Sequence, residues 1–166
     1  MGYEKVYANR KYEVYANDTG SVYLHQPQPE YATLVVLRDG ELIIAKQYRA
    51  AVDRETYELP GGEKEPQDAN LEATARRELR EETGLICGEL HELGLIHNYA
   101  CMMNRRALLF FTDDIVDVKQ TDFDADELIH LQAVSVEEAF ARIADGTYTD
   151  PELAHGLLLA RLKGFL

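Results

Sequence analysis

The stretch Pro60–Leu85, PGGEKEPQDANLEATARRELREETGL, decides how the chain is read. From Leu71 to about Glu82 the spacing is helical, with Leu71, Ala75 and Leu79 on one apolar stripe. Gly84 stands where a left-handed cap would end that helix. Glu78, Glu81 and Glu82, at i, i+3 and i+4, then share one face. Carboxylates so close repel one another, and a hard divalent cation with a preference for oxygen, Mg²⁺ or Mn²⁺, would supply the counter-charge. Gly61 and Gly62 let backbone approach the helix, so a main-chain carbonyl could complete a metal shell. Arg77 is placed to pair with Glu81 one turn on and hold its orientation. Most Glu-rich helix faces are only solvated; here the Gly-Gly turn, Arg77 and Gly84 around the cluster make it specific.

On the N-terminal side, Leu34–Leu37 and Leu42–Tyr48 read as strands joined by the Asp39-Gly40 turn, and Tyr57–Leu59 as a short extended piece stopped by Pro60-Gly61-Gly62. On the C-terminal side, strands are expected at Leu90–His97, Ala107–Thr112 and Leu128–Val134. Ser135 and Glu138 form a capping box for a helix to about Asp145, and Asp150-Pro151 opens a last helix through Leu162. The first thirty residues differ: Tyr3, Tyr7, Tyr12, Tyr15 and Tyr23 are half of the ten tyrosines. Lys11–Ala16 and Ser21–His25 look like a hairpin around Asn17-Asp18-Thr19-Gly20, either a small arm (residues 1–30) or two more strands of the main sheet. The sum is a mixed sheet with helices on its faces, α/β or α+β.

The chain has 166 residues, and 17 Lys+Arg against 30 Asp+Glu give a formal net charge of −13. That length suits one domain with a real core. The acidity argues against a nucleic-acid polymer or an anionic membrane as partner, since both need a basic footprint, but a bound cation could reverse the local sign for a small anion. Cys87 and Cys101 match no metal or disulfide spacing and read as small core residues in a reduced setting. The opening MGYEKVYANR has no apolar stretch of signal-peptide length, Val6 breaks the myristoylation pattern, and no apolar run approaches the roughly 20 residues of a membrane helix. A cytoplasmic protein is expected.

The run Arg77-Glu78-Leu79-Arg80-Glu81-Glu82-Thr83-Gly84-Leu85 resembles the core of the Nudix box, G-x5-E-x7-R-E-U-x-E-E-x-G-U with U aliphatic, and Gly62 can serve as its leading glycine. One residue is inserted: residues 63–76 place 14 positions between Gly62 and Arg77, where the pattern has 13. The first Glu of the pattern therefore falls on Asp68 counted from Gly62, or on Ala69 counted back from Arg77. Gln47-Tyr48-Arg49 and Glu58-Leu59-Pro60-Gly61-Gly62 resemble the ADP-ribose pyrophosphatase branch of the superfamily, and the Tyr-rich arm is similar to N-terminal strands that those enzymes often exchange across a homodimer. His97-Asn98-Tyr99-Ala100-Cys101 lacks a proline that many of them carry in that region.

The resemblance implies a Nudix α/β/α sandwich that hydrolyses a nucleoside-diphosphate sugar, ADP-ribose first, to AMP and ribose 5-phosphate. It implies Glu78 and Glu82 as main metal ligands, Glu81 sharing a further ion and the Gly61 carbonyl completing the shell, with Arg77 orienting Glu81. The general base would be Glu127, then Asp126, in the acidic stretch Asp122–Glu127, or Glu81 as in other Nudix branches. Arg49 is the first candidate to hold a substrate phosphate through its bidentate fork, followed by Arg54 and Arg105, while an arm tyrosine could stack on the base. The rivals are another Nudix substrate (GDP-mannose, a dinucleoside polyphosphate, an oxidised dNTP) and a non-catalytic nucleotide-binding Nudix module.

Overall fold

Residues 2–119 and 129–166 are described by the structure, a computed structural model. Three short strands come first: β1 (Glu4–Ala8), β2 (Glu13–Ala16) and β3 (Val22–His25). They form an antiparallel sheet of their own rather than extending the main one. Asn17 builds the β2–β3 turn by accepting from the backbone N–H groups of Thr19 and Ser21. Tyr15 and Tyr23 stack at 4.8 Å, with Tyr3 edge-on to Tyr23 at 4.9 Å, so these tyrosines pack on one another. The strand β1 was not legible in the sequence, and all five of its residues are exposed, so no burial pattern marks it.

The main sheet begins with β4 (Glu30–Arg38) and β5 (Glu41–Arg49), continues with β6 (Arg54–Glu58), and gains the three-residue β7 (Gly61–Glu63). Next come α1 (Leu71–Thr83), β8 (Leu85–Cys87), β9 (His91–His97), β10 (Arg106–Thr112) and β11 (Ile115–Val118). The chain closes with β12 (His130–Ser135), α2 (Val136–Ala144) and α3 (Pro151–Leu162). The strand order is β12-β5-β4-β10-β9, with β6 on β5 and β7 on β4; β10 runs parallel to β4, so the sheet is mixed.

Alternation along β4 settles which helix covers which face. Ala32, Leu34 and Val36 pack with Ala75 and Leu79 of α1, whereas Val35 packs with Leu153, Leu157 and Ala160 of α3 and Ala139 of α2. The central strand is buried on both sides, which makes the sandwich three-layered; each Leu taken wholly from water contributes about 2 kcal/mol. The helix ends are capped as the sequence indicates: Gly84 sits at φ 71° and donates its N–H to the Arg80 carbonyl, and Ser135 and Asp150 accept from Glu138 and Leu153 N–H. Asn70, with Ala73 rather than a Glu or Gln three residues on to mark it, caps α1 by accepting from Ala73 N–H. Cys87 is buried as expected, but Cys101 is exposed, because it lies in the turn after β9 rather than on a strand.

Candidate active site

The hub of the site is Arg77. Its guanidinium donates to Asp68 (3.0 Å), to the Glu63 carbonyl (2.9 Å) and to Glu81 (2.9 Å), and lies 2.8 Å from Glu78. Near a protein surface, opposite charges 4 Å apart attract by about 4 kcal/mol. One guanidinium in contact with Asp68, Glu78 and Glu81, and 3.7 Å from Glu65, therefore offsets much of the repulsion among them. Burial alone would lower Arg77; its bonds to Asp68 and Glu81 and the field of Glu78 prevail and raise it above its ordinary value. Asp68 is buried and also accepts from Thr74 Oγ1 and Glu65 N–H. Of the two positions open for the first carboxylate of the box, it is thus Asp68 that meets the arginine.

The glycines bring backbone against this helix. A Cβ on Gly61 would lie 2.3 Å from the Ala32 carbonyl oxygen, and one on Gly62 would lie 2.3 Å from the Glu78 carboxylate. Gly61 also donates its N–H to Glu82 at 2.9 Å, and that carboxylate is nearly buried. Glu78, Glu81, Glu82 and Gly61 therefore share one cleft of about 950 Å³. Among the described residues no three His, Cys, Asp or Glu side chains converge as a ready cage, since Glu78 and Glu81 are drawn to Arg77 and Glu82 to the Gly61 N–H. The donor set nevertheless fits a hard cation. It is all oxygen, and the described lining holds eight Asp or Glu side chains against five Lys or Arg, an unfavourable field for a phosphate until a cation enters.

A further part of the lining comes from β4, β5, β6 and the start of α3. Arg49 holds Glu58, its Nε donating at 2.8 Å; burial pushes the Glu58 carboxyl up, but the bonds from Arg49 and Thr56 outweigh it and bring it below its usual range. Arg105 lies 3.7 Å over the Tyr31 ring and donates to Glu152 at 3.1 Å. Asp150, the cap of α3, is raised to about 6 by burial first, then by Glu152 and Glu58. Neither Asp150 nor Glu152 was a candidate from sequence, because a helix cap and its neighbour carry no signal of facing a cleft.

A family model described as NUDIX domain matches residues 28–155. The chain belongs to the Nudix family. Its Nudix box is the Gly62–Leu85 segment just described. A curated relative, the ADP-ribose pyrophosphatase of Bacillus subtilis (strain 168), is 27% identical over 133 residues, covering 80% of this chain and 71% of that protein. Among solved structures, one reported as the crystal structure of ADP compounds hydrolase superposes with a TM-score of 0.81 at 19% identity, covering 99% of this chain and 94% of that one. That likeness is one of fold: the Nudix sandwich with the mixed sheet between its helices.

The Nudix cleft gathers most of the candidates named from sequence. Gly61, Arg77, Glu78, Glu81, Glu82, Arg49 and Arg105 all line it, and Tyr12 is the arm tyrosine that reaches it together with Lys11. Arg54 does not; it stands opposite Arg49 at the start of β6, but its guanidinium donates to Thr149 at 3.1 Å instead of entering the cleft. Glu127 and Asp126 lie outside the described residues.

Proposed function

We propose that the chain hydrolyses the pyrophosphate bond of a nucleoside-diphosphate sugar, ADP-ribose first, releasing AMP and ribose 5-phosphate. The observation that carries this reading is the meeting of the helix carboxylates with Arg49 and Arg105 in one cleft whose size suits a nucleotide-sugar. The Bacillus subtilis relative supports the choice of ADP-ribose.

Glu78 and Glu82, with the Gly61 carbonyl and a share from Glu81, would hold Mg²⁺ or Mn²⁺; the cation supplies neutralisation of the diphosphate and activation of water. Arg77 keeps Glu78 and Glu81 on the cleft side of α1. Arg49, with Arg105, contacts phosphate oxygens. Water adds to one phosphorus, the bridging P–O bond breaks, each product keeps a phosphate, and the released proton goes to a carboxylate. Glu127 is the preferred base, with Asp126 second. Glu81 is less suited, since its two oxygens already accept from Arg80 (2.7 Å) and Arg77 (2.9 Å). The protein acts as a cytoplasmic homodimer joined through the arm, whose β1 exposes Val6 and Tyr7.

The test is a panel of ADP-ribose, GDP-mannose, diadenosine polyphosphates and oxidised dNTPs with Mg²⁺, Mn²⁺ or EDTA, following nucleotide release. ADP-ribose should rank first and EDTA should abolish turnover. Glu82→Gln should lower kcat at least about a hundredfold. A variant with near-normal kcat would remove Glu82 from the metal set, and tight nucleotide binding without any turnover would favour a regulatory module.

A further inference from the structure

Arg105 and Glu152 are far apart in sequence and meet beside β4. The Glu152 carboxylate accepts from Thr33 Oγ1 (2.5 Å), from Asn98 Nδ2 and from Arg105 Nη2 (3.1 Å). Two of these donors, Thr33 and Asn98, are neutral groups fixed by the sheet and its turn, so Glu152 is anchored to the fold without the arginine. The dependence runs the other way. Among the described residues Arg105 has two restraints, the face of Tyr31 at 3.7 Å and a bond to Glu152. Tyr31 is itself pinned by Gln26 Nε2, which donates to its hydroxyl at 2.7 Å.

A guanidinium bound through one Nη leaves the rest of its fork for another acceptor. The Nε of Arg105 is itself buried, but the side chain keeps about a third of its surface exposed in the cleft lining, and no hydrogen bond among the described residues engages its Nη1. Arg105, Glu152 and Thr33 all line the cleft, and Thr33 pairs in β4–β7 with Gly61, the residue that donates to Glu82. One strand pairing thus sets both the carboxylate of the box and the carboxylate behind Arg105. An ornamental surface ion pair would need none of this, since such pairs are worth little and their carboxylates are solvated.

We infer that Glu152 is a positioning residue that holds Arg105 against Tyr31 with its unengaged Nη1 directed to a phosphate of the substrate. The inference rests on reading the cleft as a nucleoside-diphosphate site. Glu152 itself touches no substrate; it acts through Arg105.

The test compares wild type, Glu152→Gln, Arg105→Gln and the double variant, with kcat and KM for ADP-ribose and Mg²⁺ measured separately. Loss of a charge-assisted phosphate contact should raise KM for Arg105→Gln about 10- to 100-fold while kcat moves less than about threefold. Glu152→Gln should raise KM in the same direction by a smaller factor, and the double variant should be no worse than Arg105→Gln alone. Unchanged KM in Glu152→Gln, or a double variant at the product of the two single effects, overturns the inference. Glu152→Asp, which withdraws the carboxylate by one methylene, replaces Glu152→Gln if that variant shows no cooperative melt. If wild type turns over no ADP-ribose, the same proteins are titrated with Mg²⁺-ADP. Weaker ADP binding in both single variants upholds the role of Glu152 while the substrate reading fails, and unchanged binding overturns it.

Discussion

Asp68 is one methylene shorter than the glutamate that the Nudix pattern places there, and eight residues rather than seven separate it from Arg77. Behind its Asn70 cap α1 runs unbroken from Leu71 to Thr83, so Arg77, Glu78, Glu81 and Glu82 keep their helical register. Burial pushes the Asp68 carboxyl up, but the bonds from Arg77, the Glu65 N–H and Thr74 prevail and hold it below the usual carboxylate range. Its stabilising contribution is therefore present at neutral pH and is lost as pH falls through its lowered folded value. Asp68→Asn should destabilise the protein by about 2 kcal/mol at pH 7, since it weakens a buried charge pair, and by less in acid. Denaturant melts at pH 7 and pH 3.5 check this, and an equal loss at both would mean that the charge contributes nothing. Counting residues left Asp68 and Ala69 both open, because a spacing specifies which positions compete and only packing shows which side chain turns inward.

The strand β7 and the helix α3 show how an element can serve two purposes. Tyr57–Leu59 is recognisable as extended from its residues, whereas Gly61–Glu63 has no β-forming signal and is a strand only because β4 supplies the partners. Its two glycines are constrained differently. A methyl at Gly61 meets backbone, which cannot yield, while a methyl at Gly62 meets the mobile end of Glu78. Gly61→Ala should thus lower the melting temperature strongly, and Gly62→Ala should leave it within a few degrees yet reduce kcat by displacing Glu78. Thermal melts with parallel kinetics separate the two; a Gly62→Ala enzyme with normal kcat would mean that Glu78 need not sit there. At the start of α3, the folded Asp150 titrates near 6, above its ordinary value. A raised carboxyl stabilises the fold below its unfolded value, and that contribution is lost as pH rises through about 6. Asp150→Asn keeps the cap but not the charge. It should match wild type near pH 4 and exceed it by about 2–3 kcal/mol above pH 7, as melts across that range would show. Equal curves would place the Asp150 carboxyl in a better solvated setting.

Across the whole molecule the acidity is unevenly used. Many of its carboxylates form surface ion pairs such as Lys46–Glu55 and Arg106–Glu30, while Glu78, Glu81 and Glu82 on α1 and Asp150 and Glu152 at the start of α3 line the cleft. The arm keeps a sheet of its own and meets the rest of the chain through the Leu24–Met103 bridge and the Gln26–Asn104 bonds to the β9–β10 connection and through the Lys11–Glu63 ion pair to β7. Val6 and Tyr7 on β1 present exposed apolar surface. If the arm joins two copies, Val6→Glu with Tyr7→Glu should shift the sedimenting species from twice the chain mass to one chain mass without lowering secondary-structure content. A monomeric wild type would end the dimer reading.

The sequence by itself determined the Nudix box, the helix that carries it, the caps of all three helices bar Asn70, and the strands whose apolar alternation faces a core. These are local: periodicity and caps act over a few residues and need no distant partner. Tertiary structure alone decided the separate arm sheet, the strand at Gly61–Glu63, the exclusion of Arg54, and the joining of Arg105 to Glu152 across 47 positions. Each of these depends on which segments the sheet brings side by side, and the parallel β4–β10 pairing that does so for Arg105 leaves no mark within either strand.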